Sequence, residues 1–553
     1  MAINETEIDK KLKKVDNTSP MGGGTFILYQ CAIVSPSNPD NPVDFNSKGV
    51  FQELNIFEDL FSNVLRGTFT FKDNQGITEL LPIIGDETLV LSWTTPGGLG
   101  SQVDMEEDIA SGSKSEEVLQ QRFKIYDCKE SSDGERSKIY TLFFVSEEYV
   151  FSTKTKISKG YKGRFYHQVV KDALKKINKN ILEKYHKKTY IENTATPQNV
   201  IIPNWTPFQA INFCASRSVS SNQEDSEIES SEKNQKPFAA GSLFVFYEKL
   251  GTGFFYESIE SMIINQKAIG RVPLYQYLPK NTEASNRSIG MSYFGVEKYE
   301  IKSSFKTLEN LGYGMYGSKL IAYDPIRMKY DEVKYDYYEK EDNPVTSTVD
   351  QDAGVTIESA DPAQAKDDSQ RIFADFIATD IHPTERTQNK LISENSDYIG
   401  SNDASVKLAT TTKAHDAMFV APILVEPSDV PPNTSIGVNA KTFKDNEAKP
   451  NQVENWLLQR EMQIQEFGNI VVAFTIDGNS SRHVGDFVRF EIPTAIADSG
   501  LAPDLGHQFY SGHYIVSKIR HIISQTEYKT DLELIKNSFA KRITGQTVEG
   551  GVA

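Results

Sequence analysis

The sequence predicts a mainly β chain of the α+β class: two antiparallel β-barrels, an inserted helical and β middle region, and long polar loops. Three observations carry this. Apolar residues alternate at period two near both ends. They switch to a spacing of three and four within 163–220. The two strand-rich ends also repeat one order of parts. At 553 residues the chain is too long for one ordinary core. Its 31 Phe and 25 Tyr suit strands and their cross-strand pairs.

Residues 1–20 read as a polar arm, and 21–160 as the first barrel. GTFTFKD (67–73) places Phe69 and Phe71 on one face. GDETLVLSW (85–93) does the same for Leu89, Leu91 and Trp93, and RFKIYDC (122–128) and IYTLFFV (139–145) follow. An acidic loop without periodicity occupies 98–117. The middle region, 161–295, opens on an amphipathic helix with Val169, Val170, Ala173, Leu174, Ile177 and Ile181 on its stripe. A second helix starts at Thr206, a good N-cap, with Pro207 at the first helical position and Gln209 completing a capping box. Residues 220–237 hold almost nothing apolar and read as a long disordered loop, and 241–263 as a hairpin leading into a turn or short helix.

The second barrel takes 296–345 and 450–545. A loop-rich insertion at 346–449, with a helix at 369–378, interrupts it, and 546–553 is a tail. The stretch 453–468 predicts a helix with Val453, Trp456, Leu457 and Ile464 on one stripe. Then come Ile470, Val472, Phe474 and Ile476 on one face, a turn at Asp477 and Gly478, and strands carrying Val488, Phe490 and Ile492. Tyr528, Thr530, Leu532 and Leu534 share the last strand's face. Phe69, Phe71, Leu89, Leu91, Trp93, Val488, Phe490, Ile492, Leu532 and Leu534 therefore mark the barrel strands and their candidate interfaces.

Each end gives a strand, an Asp-led turn, a Gly-Asp pair opening a second strand, a loop and a closing hairpin. GTFTFKDNQG, GDETLVLSW, RFKIYDC and KIYTLFFV stand in the first copy. IVVAFTIDGNSS, GDFVRFEIP, GHYIVSKIR and EYKTDLELI stand in the second. Identity between the copies is slight, and many antiparallel barrels share such spacing.

The formal net charge of −17 argues against gripping nucleic acid by its phosphates and is compatible with a passage DNA slides through. Cys31, Cys128 and Cys214 are too few and too scattered for a disulfide framework or a paired-cysteine metal site. The charged first twenty residues have no apolar core of a secretion signal, and no run of membrane-spanning length occurs. His507, His513 and His521 are the nearest thing to a metal cluster, but no carboxylate stands at a ligand spacing, so ordinary strand histidines are the better reading. No nucleophile elbow or phosphate-binding glycine loop appears, MGGGTF (21–26) reads as a joint, and acidic pairs such as Glu58-Asp59 are too common to single out. No enzyme activity, cofactor or metal is expected.

Four segments together resemble the baseplate hub family of contractile-tailed bacteriophages. They are ELNIFEDLFSNVLRGTFTFKDNQGITELLPIIGDETLVLSW (53–93), NWTPFQAINFCASRSVS with SLFVFYEKLGTGFFYESIESMI, GMYGSKLIAYDPIRMKYDEVKYDY (314–337), and GDFVRFEIP with YSGHYIVSKIRHIISQTEYKTDLELIKNSF. They keep the family order over roughly two-thirds of the chain, and the acidic insertions depart from its smaller members. The resemblance implies a short Phe/Leu-rich helix before GTFTFKD, and a strand pair at 314–337 opening the second barrel. It implies two tail-tube-protein-like barrels per chain and a homotrimer forming a pseudo-sixfold ring. That ring would join a sixfold tail tube, or a tube-initiator protein, to a threefold central spike. Baseplate wedge proteins would surround it, and DNA would pass through its lumen without specific binding. Strand edges at 67–73 and 485–492 are expected to be closed by neighbours. The implied location is the virion's tail baseplate, after synthesis in the host cytoplasm, with no membrane insertion. Because the chain stops soon after its last strand, the spike is expected to be a separate polypeptide. The rival readings are a hub-type part of a related contractile injection system, a hub fused to a cell-wall hydrolase, and a receptor-binding adhesin.

Overall fold

The computed structural model describes residues 26–95, 119–220, 243–336, 417–422 and 457–536, with breaks inside these spans, the longest at 278–293 and 493–509. The first barrel is built from β1 (Ile27–Val34), β2 (Val43–Asp44), β3 (Phe51–Asp59), β4 (Arg66–Asp73), the single turn α1 (Ile77–Leu80), β5 (Thr88–Thr94), β6 (Leu119–Ser132) and β7 (Lys138–Ser146). In β4 each alternate residue is buried, the outcome that period-two apolar spacing dictates. The strands pair antiparallel in the order β3-β4-β7-β6-β5-β1-β2. Phe45 meets Phe69 and Phe71 at ring distances of 5.3 and 4.7 Å, and Phe71 stacks on Tyr140 at 5.4 Å. Gly67 has no room for a side chain: a Cβ there would lie 2.2 Å from the Phe144 ring and 2.3 Å from the Asn55 carbonyl oxygen.

The middle region follows as α2 (Glu147–Lys154), β8 (Ile157–Phe165), α3 (Tyr166–Asn178), β9 (Lys188–Ile191), β10 (Pro197–Trp205), α4 (Pro207–Ala215), β11 (Phe244–Lys249) and β12 (Gly253–Ser258). The expected stripe of α3 is buried, with Val169, Val170, Ala173, Leu174 and Ile177 inward. The α4 capping box also forms: the Gln209 amide donates to the Thr206 hydroxyl at 3.3 Å, and the Thr206 amide donates to the Gln209 side chain at 3.0 Å. These helices pack on a β8–β10 pair and a three-stranded β11-β12-β9 sheet.

The second barrel consists of β13 (Leu274–Tyr277) and β14 (Gly295–Ser303), then, after an excursion, β18 (Ile470–Asp477), β19 (Phe487–Glu491), β20 (Gly512–Ser524) and β21 (Tyr528–Lys536). The excursion holds α5 (Thr307–Gly312), β15 (Gly317–Asp324), β16 (Lys329–Asp336), β17 (Ala417–Pro422) and α6 (Leu457–Phe467). β19 pairs with both β13 and β20, so the ring β19-β13-β14-β18-β21-β20 closes on itself. The closed ring encloses Tyr275, Phe474, Phe490, Ile515 and Leu534. The strand run β5-β6-β7-β4-β3 in the first barrel has the same order and antiparallel sense as β19-β20-β21-β18-β14 in the second. The sixth strand breaks the likeness: β1 runs antiparallel to β5, whereas β13 runs parallel to β19.

Three expectations are corrected. Residues 51–59 form a strand followed by turns rather than a helix, because Leu54, Ile56 and Glu58 alternate inward. The strands at 67–73 and 485–492 are not edges: β4 lies between β3 and β7, and β19 lies between β13 and β20. The pair at 314–337 joins β17 in a separate three-stranded sheet, and β13 and β14 open the second barrel instead. The predicted helix at 369–378 and the stripe residues Val453 and Trp456 lie outside the described residues. Among the described residues no helix is long and apolar enough to cross a membrane.

Candidate functional site

The two barrels are joined edge to edge. One edge of β20 pairs with β21 along most of its length. The other edge is divided: residues 512–515 pair with β19 and close the second barrel, and 518–524 pair with β3 of the first. The register sets Lys518 opposite Asp59, Arg520 opposite Phe57 and Ile522 opposite Asn55. The Leu60 amide, donating to the Ser517 carbonyl at 2.9 Å, extends the ladder by one step. A single arc of eight strands, β6-β7-β4-β3-β20-β21-β18-β14, thus runs through both barrels.

Beneath this joint lies a buried ionic cluster. Glu58 on β3 is fully buried, and His521 on β20 is as well. His521 Nε2 lies 3.1 Å from Glu58 Oε1, while its Nδ1 shares a 2.7 Å hydrogen bond with the Tyr528 hydroxyl. His483 Nδ1 stands 3.5 Å from the same carboxylate, and the Val484 amide donates to Glu58 Oε2 at 3.4 Å. Burial pushes the Glu58 carboxyl up, but His483 and His521 outweigh it and hold it down at about 2. The cluster therefore keeps a carboxylate of the first barrel clamped by histidines of the second.

The opposite face of the arc is polar and open. Arg520 Nε donates to Asn55 Oδ1 at 3.0 Å, and its guanidinium lies 3.7 Å from Glu53 and 3.9 Å from Asp531. Lys518 and Lys302 reach Glu533 at 2.8 and 2.6 Å, and Lys529 reaches Glu297 at 3.5 Å. Charges of both signs thus neutralise one another across β3, β20, β21 and β14.

A second buried node ties the middle region to the first barrel. Glu248 on β11 accepts from the Leu65 amide at 3.0 Å, the Ser146 hydroxyl at 2.6 Å and Gln121 Nε2 at 3.1 Å, and it pairs with Lys187. Lys187 also reaches Glu148 at 2.8 Å. Burial would lower the Lys187 amine, but Glu248 and Glu148 hold it above its ordinary value. Lys249 then bridges to Asp486 of the second barrel at 3.5 Å.

The ten residues singled out from the sequence lie inside the barrels. Phe69, Phe71, Leu89, Leu91 and Trp93 pack together in the first core, and Val488, Phe490, Ile492, Leu532 and Leu534 in the second. Their side chains serve intrachain packing, and what they position is the backbone of the arc. His513 and His521 share β20, with His521 committed to Glu58 and Tyr528, and His507 lies outside the described residues. Among the described residues no group of three or more His, Cys, Asp or Glu side chains could hold a metal ion. Sequence reasoning passed over Glu58, Glu248 and Lys187. The available signal for Glu58 was a charge in the buried phase of an alternating strand, after Leu54 and Ile56.

No family model matches the sequence, and no curated protein matches it. Solved structures do resemble the fold. A tail protein from Neisseria meningitidis matches over 92% of this chain and 96% of its own, at 8% identity and a TM-score of 0.42. A 43 kDa tail protein of prophage MuSo2 from Shewanella oneidensis matches over 92% and 98%, at 7% identity and a TM-score of 0.39. A component of the Escherichia coli type VI secretion system matches over 93% and 77%, at 8% identity and a TM-score of 0.32.

Proposed function

We propose that the chain is a non-enzymatic structural hub of a contractile phage tail. It assembles as a homotrimer and adapts a sixfold tail tube to a threefold central spike. The observation that carries this reading is the arc itself: two barrels of one strand order, fused edge to edge within a single chain. A chain that already displays two equivalent units turns three copies into six, which is what matching a sixfold ring to a threefold one requires. The open face of the arc, with its paired charges, lines the lumen in this reading, and a neutralised polar wall lets DNA pass without adhering. Tube or tube-initiator proteins stack on one rim, the spike seats on the other, and wedge proteins surround the outside. The virion's tail baseplate is its place, after synthesis in the host cytoplasm.

The test is the mass of the purified chain by light scattering, alone and mixed with the spike protein. A species of three chains, or a complex of three chains with three spike chains, is the expected result. A single chain that ignores the spike and degrades cell-wall material overturns it.

A further inference from the structure

The internal joint uses one edge of each barrel, and among the described residues each barrel keeps a corresponding edge unpaired. Of the second barrel, β20 pairs with β3 through residues 518–524. Its counterpart in the first barrel is β6, whose 119–124 half pairs with β5 while 127–132 has no partner on that side among the described residues. Likewise β3 receives β20, whereas its counterpart β14 meets β13 only at Gly295 and Val296, and 298–303 is unpaired on that side among the described residues. Residues 126–131 of β6 are all exposed.

The bulges fix the correspondence residue by residue as far as Ile301 of β14. In both hairpins the register slips at one place, between Ile125 and Asp127 in β6 and between Val516 and Lys518 in β20. The other pair slips between Phe51 and Glu53 in β3 and between Val296 and Lys298 in β14, and β14 alone slips once more between Ile301 and Ser303. Aligned on these bulges, Asp127 corresponds to Lys518 and Lys298 to Glu53.

We propose that residues 128–132 of β6 pair antiparallel with residues 299–303 of β14 from a second copy of the chain, in the register of the internal joint. Glu130 then lies opposite Ile301, Ser131 opposite Glu300 and Ser132 opposite Tyr299. In the internal joint Arg520 stands opposite Phe57 and reaches two residues along to Asn55 at 3.0 Å. The same diagonal sets Lys129 against Glu300, a pair of opposite charge. Within one chain the two edges do not pair among the described residues: they stand at opposite ends of the eight-stranded arc. The contact is head-to-tail, so copies form a ring or, if the angle does not close, a filament. The count of three copies rests on the hub reading, whereas the register does not.

The test replaces Ser131 and Glu300 by cysteine in a Cys128→Ser chain. Their equivalents Ile522 and Asn55 form a non-hydrogen-bonded pair, whose Cα atoms lie close enough for a disulfide. Cys31 and Cys214 are buried and stay out of the reaction. Mild oxidation should give a covalent ladder that ends at three chains on a non-reducing gel. Three chains by light scattering without a ladder overturn the strand pairing and leave the trimer. A single chain with and without spike overturns both, and a ladder running far past three chains overturns closure at three. A second variant, Glu130→Pro, removes an amide that by equivalence with His521 points to the open edge and away from β7. It should leave the melting of the single chain unchanged and raise the dissociation constant of the trimer at least tenfold. An unchanged constant overturns the pairing.

Discussion

The two barrels solve the same packing problem with the same run of five strands, yet they treat one edge differently. In β20, residues 518–524 alternate between open and buried, and Ile519, His521 and Ile523 are sealed beneath β3. In β6 the corresponding half is polar and exposed on both faces, from Tyr126 to Ser131. Strand geometry is therefore inherited from the barrel, whereas side-chain composition follows from whether a neighbour is permanently present. An edge covered within the chain carries apolar and buried ionic groups. An edge that must stay soluble carries Asp127, Lys129 and Glu130.

Removing the clamp should break the comparison hardest. Glu58→Ala leaves His521 buried without its carboxylate, and should cost about 3–5 kcal/mol in urea unfolding. Ser303→Ala, at the end of β14, should stay within about 0.5 kcal/mol in the single chain. Gly67 tests the cores. It corresponds to Val472 of β18, but Gly67→Val drives a side chain into Phe144 and should cost about 1–3 kcal/mol, read as a fall in the urea midpoint.

Acid should separate the barrels more gently. Burial, with Arg489 and Lys536 adding to it, pulls the His513 imidazole from 6.5 down to about 4. Between those values the unfolded chain binds a proton that the folded chain refuses, so this stability is complete above pH 6.5 and is lost as pH falls toward 4. The corresponding residue of β6 is Arg122, so the first barrel carries no imidazole at this site. Urea midpoints from pH 7 to 4 should fall with a slope no steeper than about 1.4 kcal/mol per unit from this one proton. His513→Gln should remove that part of the slope, and a slope unchanged by the substitution refutes the assignment. Glu58 acts lower, its contribution complete above 4.5 and fading toward 2. The smallest effect belongs to the open face: Lys518→Met should change the urea midpoint by an amount worth less than about 1 kcal/mol, because the Lys518–Glu533 pair is half in water.

Much of this architecture is legible in the sequence where the signal is local. Alternation at Phe69 and Phe71 locates β4, the three-and-four spacing locates α3, and Thr206 with Gln209 announces the start of α4. The order of strand, turn and Gly-Asp strand in both halves anticipates the duplicated topology. What stays hidden is which strands meet. β13 is four residues long, too short for a period, and β14 places Lys298, Glu300 and Lys302 on its open face, which lowers its apolar signal. Edges at 67–73 and 485–492 were misjudged for the same reason: an edge is defined by its absent neighbour, and neighbours are set by tertiary pairing. The buried cluster hides because Glu58 and His521 look like surface residues until the two barrels are brought together.

The joint between β20 and β3 is held largely by main-chain hydrogen bonds, which every residue except proline supplies. Two copies of a duplicated unit can therefore drift apart in sequence and still fit one another's edges. This accounts for barrels that share a strand order and two bulges while their side chains scarcely agree. A lineage bound by such joints is free to recolour its surface for new neighbours, provided that the bulges and the edge amides are kept.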